Sequence, residues 1–236
     1  MFGYYSPYYF DPTYLLVIVG VVLCTVASGM VKSTYNKYSN VYPMRHMTGA
    51  QVAEMILRNS GISDVRIEQV AGELTDHYDP RAKVLRLSQE NFGTSSVAAM
   101  GVAAHEAGHA VQHHTGYIPL KLRNTILPAA NIGSKLGIPL VILGLVLGFG
   151  DTLINIGIIL FLFAVLFQVV TLPVEFNASK RAVKMLEEYG VLYNEELTGC
   201  KKVLRAAAMT YVAAAASSVL QLLRLVLLSG GRRRRD

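Results

Sequence analysis

The sequence predicts a mainly helical α+β membrane protein, with about three transmembrane helices and one small water-facing domain. Three observations predict this class. Hydrophobic residues make up 52% of the chain and charged residues only 16%, with a mean hydropathy of +0.37, too apolar for an ordinary soluble domain. The apolar residues are gathered into long blocks. Between the first two blocks lies a polar stretch that mixes helix-period and alternating segments.

The first block, Tyr14 to Val31, is long enough to cross a bilayer as a helix. A cleaved signal peptide is the competing reading, but "MFGYYSPYYFDP" before it holds no Lys or Arg and so lacks a basic n-region. Its tyrosines suit a membrane interface, so 1–31 reads as a tail and a retained anchor.

Residues 32–135 form the water-facing domain. "MTGAQVAEMILRNSGI" is a helix, with Thr48 as cap, Val52, Met55 and Ile56 as an apolar stripe, and Gly61 at its end. Val65 and Ile67, then Val84, Leu85 and Leu87, alternate with polar neighbours around the turn signal "DPR" at 79–81, which predicts two or three short strands. From Thr94 to Thr115 the pattern returns to helix, with Ser95 or Ser96 near its start. Such a small domain needs the helices downstream of the second block to complete its core.

The second block, 136–174, is roughly twice one span in length and is broken near its middle by Asp151. It predicts a helical hairpin: a helix over 136–150, a turn at Gly150-Asp151, and a helix over 152–172 that ends at Pro173. Residues 175–236 then return to water. Their apolar segment, 206–231, is mostly alanine in its first half and carries Arg224 in its second.

Basic residues set the orientation. The stretch 32–135 contains eleven Lys or Arg and 175–205 contains six, whereas the N-terminal tail and the hairpin tip contain none. Three spans place both basic stretches in the cytoplasm and the N-terminus outside. A fourth span over 206–229 would put the terminal "RRRR" outside, so the Ala-rich segment is expected to pack within or against the cytoplasmic domain. The arginine run reads as a solvated tail near anionic lipid. The net charge of +6 is spread over these segments, so no nucleic-acid partner is expected. Cys24 and Cys200 stand too far apart in sequence to suggest a disulfide framework or a thiolate metal site.

Four of the chain's six histidines fall in "AAHEAGHAVQHHTG", residues 103–116. His105-Glu106-Ala107-Gly108-His109 is an H-E-x-x-H sequence lying where a helix is expected independently. Four residues of helix rise about 6 Å and return nearly to the same face, so both imidazoles can meet one ion. Zinc lowers the pKa of a bound water to about 7, and Glu106 can take its proton. A chance match on a solvated helix is the bland reading. Against it, the surrounding residues are Ala, Val and Gly, where buried ionisable groups without a metal or partners would be costly. Gly108 leaves room beside the ion. His113 lies about 12 Å along the helix from His105, too far to share an ion, and His114 points away, so both read as packing or surface residues.

A catalytic zinc takes a third protein ligand. Glu175, the first charged residue after the hairpin, returns the chain to the side of His105 at the start of a new helix. A helix N-terminal glutamate meeting the macrodipole is the alternative reading. Glu187 and Glu188, at a helix end before Gly190, are poorer candidates.

Five segments together, "YFDPTYLL", "TDHYDPRAKVLRLS", "AAHEAGHAVQH", "PVEFNASKRA" and "TYVAAAASSVLQLLRL", resemble the YugP-type membrane zinc metallopeptidases, distant relatives of HtpX and the CAAX prenyl proteases. The resemblance covers nearly the full length. It implies a zincin-like, gluzincin-type metalloprotease domain in a bacterial cell membrane, with one Zn2+ held by His105, His109 and Glu175, and Glu106 as base. Relatives carry a Glu-x-x-x-Asp pattern whose Asp supports a ligand histidine. Here that position is Ser179, with Asn177 between, and these two are the candidate supports. A substrate strand beside an edge strand would make 74–88 a wall of the cleft, with Asp76 and His77 as candidate participants; a hairpin with ordinary polar residues is the competing reading. Tyr211 is the candidate oxyanion donor, with core packing in the Ala-rich helix as its competing role.

The expected function is a membrane-anchored zinc endopeptidase acting on protein or peptide substrates at the bilayer. A zinc-binding membrane scaffold or adaptor without turnover is the alternative. A transporter is disfavoured, because the expected spans hold almost no ionisable residues to line a path. Nothing in the residues sets an oligomeric state.

Overall fold

The computed structural model describes residues 11–147 and 150–233, so the aromatic N-terminal tail and the end of the arginine run lie outside the described residues. Helix α1 (Tyr14–Tyr38) begins where Asp11 accepts hydrogen bonds from the Thr13 amide and hydroxyl, at 2.9 and 2.8 Å, and runs past the apolar block into a polar end. Helix α2 (Gly49–Asn59) opens with a full capping box between Thr48 and Gln51, and Gly61, with φ of 72°, takes the chain away from it. Strands β1 (Arg66–Val70), β2 (His77–Asp79) and β3 (Val84–Ser88) follow, in sheet order β1-β3-β2. β3 pairs parallel with β1 and antiparallel with β2, and Asp79 closes the β2–β3 turn by accepting from the amides of Arg81 and Ala82. A short helix α3 (Gln89–Gly93) leads into α4 (Val97–His114), capped by Ser96, whose hydroxyl accepts from the Ala99 amide. Helices α5 (Ile118–Leu147), α6 (Gly150–Glu188) and α7 (Asn194–Arg233) complete the chain.

The last three helices depart from expectation. α5 starts at Ile118, well before 136, and passes through Pro128 and Pro139. Gly150 and Asp151, where a turn is expected, already belong to α6. α6 does not end at Pro173 but continues to Glu188, so Glu175 sits in a helix interior and the macrodipole reading of it falls away. A proline inside a helix removes one backbone donor and strains the preceding turn, and packing on both sides of Pro173 can offset that local cost. α7 is one helix of 40 residues rather than an apolar segment set apart at 206. Four helices, α1, α5, α6 and α7, are long and apolar enough to cross a membrane.

The chain groups into two compact units. One contains the described parts of 1–25, 126–168 and 213–236. Here α5 and α6 approach through glycine. A Cβ on Gly133 would lie 2.0 Å from the Leu160 carbonyl oxygen, and one on Gly157 would lie 2.6 Å from that of Gly137. Small residues let helix backbones meet closely where lipid offers no hydrophobic drive to associate. Val141, Ile154, Phe161, Val165 and Leu225 pack beside this contact. Arg224, which weighed against a span, stacks its guanidinium 4.4 Å over the Tyr14 ring and is attracted by Asp11, both at the start of α1.

The other unit contains Val26–Thr125 and Val169–Val212. Its core joins α2, β3, α4, the end of α6 and the start of α7 through Ile56, Leu85, Leu87, Met100, Leu186 and Leu197. The downstream helices thus contribute residues to this core. A polar clamp supports the sheet. Asp76 accepts from the Ser88 amide and the Asn91 side chain, and Asn91 accepts from the Tyr35 hydroxyl at 2.7 Å.

Candidate metal centre

Helix α4 carries alanine and glycine where its neighbours come close. A Cβ on Gly108 would stand 2.9 Å from the Ala178 carbonyl oxygen. The space beside Gly108 is therefore taken by the backbone of α6 rather than by room for an ion. This contact lies one turn beyond Glu175, and Glu175 and Ser179, four apart on α6, share a face. At the end of α4, Gly116 takes φ of 66°, a conformation that side chains resist, and the Tyr117 amide donates to the Gln112 carbonyl at 2.9 Å. α5 then begins at Ile118 and carries Arg123.

These elements bring His105, His109 and Glu175 together, with one ligand atom from each all within 4.8 Å of one another. The Nε2 atoms of the two histidines are 3.2 Å apart. Glu175 Oε2 lies 3.2 Å from His105 Nε2 and 3.5 Å from His109 Nε2. Tetrahedral zinc with bonds of about 2.0–2.1 Å would hold its ligand atoms roughly 3.3–3.4 Å apart. The donor set therefore fits one such ion. The Glu175 side chain is only 3% exposed, and those of His105 and His109 13% and 12%. Glu106 is buried between the histidines in sequence.

Hydrogen bonds behind the cluster decide which nitrogens face it. Gln112 is fully buried, and its amide NH2 donates to the Val174 carbonyl at 2.8 Å and to Asn177 Oδ1 at 3.0 Å. A carbonyl cannot donate, so this fixes the amide orientation and leaves Gln112 Oε1 facing His109 Nδ1 at 3.0 Å. His109 must then donate from Nδ1, which leaves the Nε2 lone pair for the cluster. Arg181 Nε holds Asn177 Oδ1 from the other side at 2.8 Å. For His105, Ser179 Oγ, a neutral hydroxyl, meets Nδ1 at 3.1 Å. Burial pushes the His109 imidazole pKa down, but the Glu175 hydrogen bond and the charges of Glu106 and Glu175 outweigh it and raise the value. The pocket favours positive charge at this point.

Arg123 Nη1 lies 3.7 Å from Glu175 Oε1, and the Tyr211 hydroxyl hydrogen-bonds the same carboxylate. Tyr211 is thus brought to the site. His77 is not. Its Nδ1 meets the Thr75 carbonyl at 2.8 Å and its Nε2 faces Arg86 at 3.4 Å. Asp76 belongs to the clamp on Ser88 and Asn91. His113 Nδ1 bonds the Tyr78 hydroxyl at 2.9 Å and His114 is exposed, in keeping with their geometric exclusion. Glu188 pairs with Lys184, away from the cluster.

Two residues at the site carry no motif. Gln112 could have been found as a polar residue three positions from His109 on an apolar helix. Arg123 offered no signal beyond its charge. Gln112→Ala is expected to weaken zinc binding about 10–100-fold, the usual cost of losing a partner behind a ligand histidine. Competition with a calibrated chelator measures this, and unchanged affinity would remove Gln112 from that role.

With this geometry in view, residues 13–230 match the family described as "Putative neutral zinc metallopeptidase". The chain belongs to this family. It is also 48% identical over 198 residues to "Putative membrane protease YugP" of Bacillus subtilis (strain 168), covering 84% of this chain and 88% of that relative. No solved structure matches the chain. Family membership points to zinc as the ion for the His105, His109 and Glu175 cluster, and the apolar helices mark a membrane protein.

Proposed function

We propose that the protein is a membrane-embedded zinc endopeptidase with its active site on the cytoplasmic side of a bacterial cell membrane. The convergence of His105 Nε2, His109 Nε2 and Glu175 Oε2, at spacings suited to one tetrahedral ion beside Glu106, carries this reading. Zinc bound there would acidify a water toward a pKa of about 7 and polarise a peptide carbonyl. Glu106 takes a proton from the attacking water and delivers it to the amine nitrogen that leaves. Gln112 holds His109 in the tautomer that keeps Nε2 free, and Ser179 holds the His105 ring from its Nδ1 side. Tyr211 and Arg123, already beside Glu175, supply donors for the charge that grows on the carbonyl oxygen. β2 is an edge strand whose Tyr78 contacts His113 of α4, so an extended peptide can pair along its open side.

The eleven and six basic residues of 32–135 and 175–205 outweigh the four of the terminal run, which supports the cytoplasmic placement. We read α7 as a fourth span rather than as part of the water-facing domain. The described residues of 213–236 group with the apolar segments of α1, α5 and α6, and Arg224 finds Tyr14 and Asp11 at the start of α1.

A zinc-holding scaffold would share the three ligands but hydrolyse nothing. Cleavage of a model membrane-protein substrate should stop on chelation and return with stoichiometric zinc. Absence of cleavage by the fully zinc-loaded protein against a broad peptide library would favour the scaffold.

A further inference from the structure

A groove of about 470 Å³ lies between α1 and α7, apart from the metal cluster. Each helix gives it one stripe at helical spacing. On α1 the stripe is Met30, Ser33, Thr34 and Lys37; on α7 it is Lys202, Arg205, Ala206 and Met209. Both stripes run from a methionine at one end to cations at the other. The methionines are exposed, Met30 at 50% and Met209 at 36%, and the three cations are exposed as well. Among the described residues, no ion pair joins Lys37, Lys202 or Arg205 to a carboxylate. Near the cationic end the helices meet closely, since a Cβ on Gly199 would fall 2.6 Å from the Tyr38 ring.

The change of polarity follows the sequence. The apolar block of α1 ends at Val31, and that of α7 begins at Ala206. The groove thus straddles the level at which both helices pass from polar to apolar surroundings, where lipid headgroups lie. Scattered surface cations would serve topology alone. Convergence of three of them in one cleft, with two hydroxyls on α1 and exposed methionines in the same lining, matches a ligand with an anionic head and a hydrocarbon tail. A phosphodiester accepts from ammonium, guanidinium and hydroxyl groups, and an acyl chain can follow the methionines. Zwitterionic lipids carry an ammonium of their own, so three cations favour a lipid with net negative charge.

We propose that this groove is a headgroup site for an anionic phospholipid. The full-length protein in detergent would be titrated with phosphatidylglycerol, phosphatidylcholine or glycerol 3-phosphate, with bound lipid counted by native mass spectrometry. Phosphatidylglycerol is expected to bind most tightly. Each cation contributes roughly a fivefold preference, so Lys37→Gln, Lys202→Gln and Arg205→Gln together should cost about a hundredfold. Replacing Arg58, Arg66 and Lys184 by glutamine removes the same charge elsewhere and should preserve the preference. Lys37→Arg with Lys202→Arg should preserve it too. Equal loss in the two glutamine triples, an unchanged preference in the groove triple, or equally tight binding of glycerol 3-phosphate would overturn the proposal. If the groove triple does not fold, Lys37→Glu alone decides, and an unchanged lipid preference in it counts against the site.

Discussion

Glu106→Gln is expected to bind zinc as the wild type does and to lose hydrolysis by about 10²–10⁴-fold, the range associated with a positioned general base. The reasoning is geometric. The three converging ligand atoms belong to His105, His109 and Glu175, so the Glu106 side chain is not needed to hold the ion. Glutamine has nearly the same shape but no basic oxygen able to receive a proton at neutral pH. Metal content per chain and cleavage of a membrane substrate should therefore separate. Turnover close to wild type in a zinc-loaded variant would reject Glu106 as the base. Loss of zinc together with activity would mean that Glu106 shapes the site rather than moves a proton.

Glu175→Ala is expected to lose the metal itself. Structural zinc is worth about 10–16 kcal/mol over four ligands, so one ligand accounts for roughly 3 kcal/mol, or about a hundredfold in affinity. The mutation also leaves Arg123 and the Tyr211 hydroxyl without the carboxylate they both contact, in a place where that carboxylate is buried. Removing a buried carboxylate that other polar groups contact opposes folding of the local structure. Metal analysis after dialysis against buffer free of zinc tests the first effect, and the thermal midpoint of the metal-free protein tests the second. Glu175→Gln separates them, since it keeps hydrogen-bonding capacity but removes the charge. Full zinc occupancy in Glu175→Ala would remove Glu175 from the ligand set.

Much of the local structure was legible. Thr48 and Ser96 cap the helices expected to start beside them, the strands fall on Val84, Leu85 and Leu87 and around Ile67, and "DPR" makes the turn. Local hydrogen bonds and hydrophobic period decide such features, and both are properties of neighbouring residues. The position of Glu175 after the apolar block points to it, but α6 carries it in mid-helix and not at a new start. Pro173 misled for a physical reason. A proline argues for a helix end only on its local cost, and tertiary packing can outweigh that cost.

By itself, the sequence determined that the chain meets a membrane, that His105 and His109 share one face, and that Glu106 stands beside them. Those follow from composition and from the 3.6-residue turn of a helix. Only the tertiary structure decided which nitrogen His109 presents, since that depends on Gln112 held by the Val174 carbonyl, and that Ser179 of another helix meets His105. It also decided that Gly108 admits the α6 backbone, and that Arg123 and Tyr211 both reach Glu175. Such contacts join residues far apart in the chain, and no periodicity or spacing encodes which distant backbone will fill the gap beside a glycine.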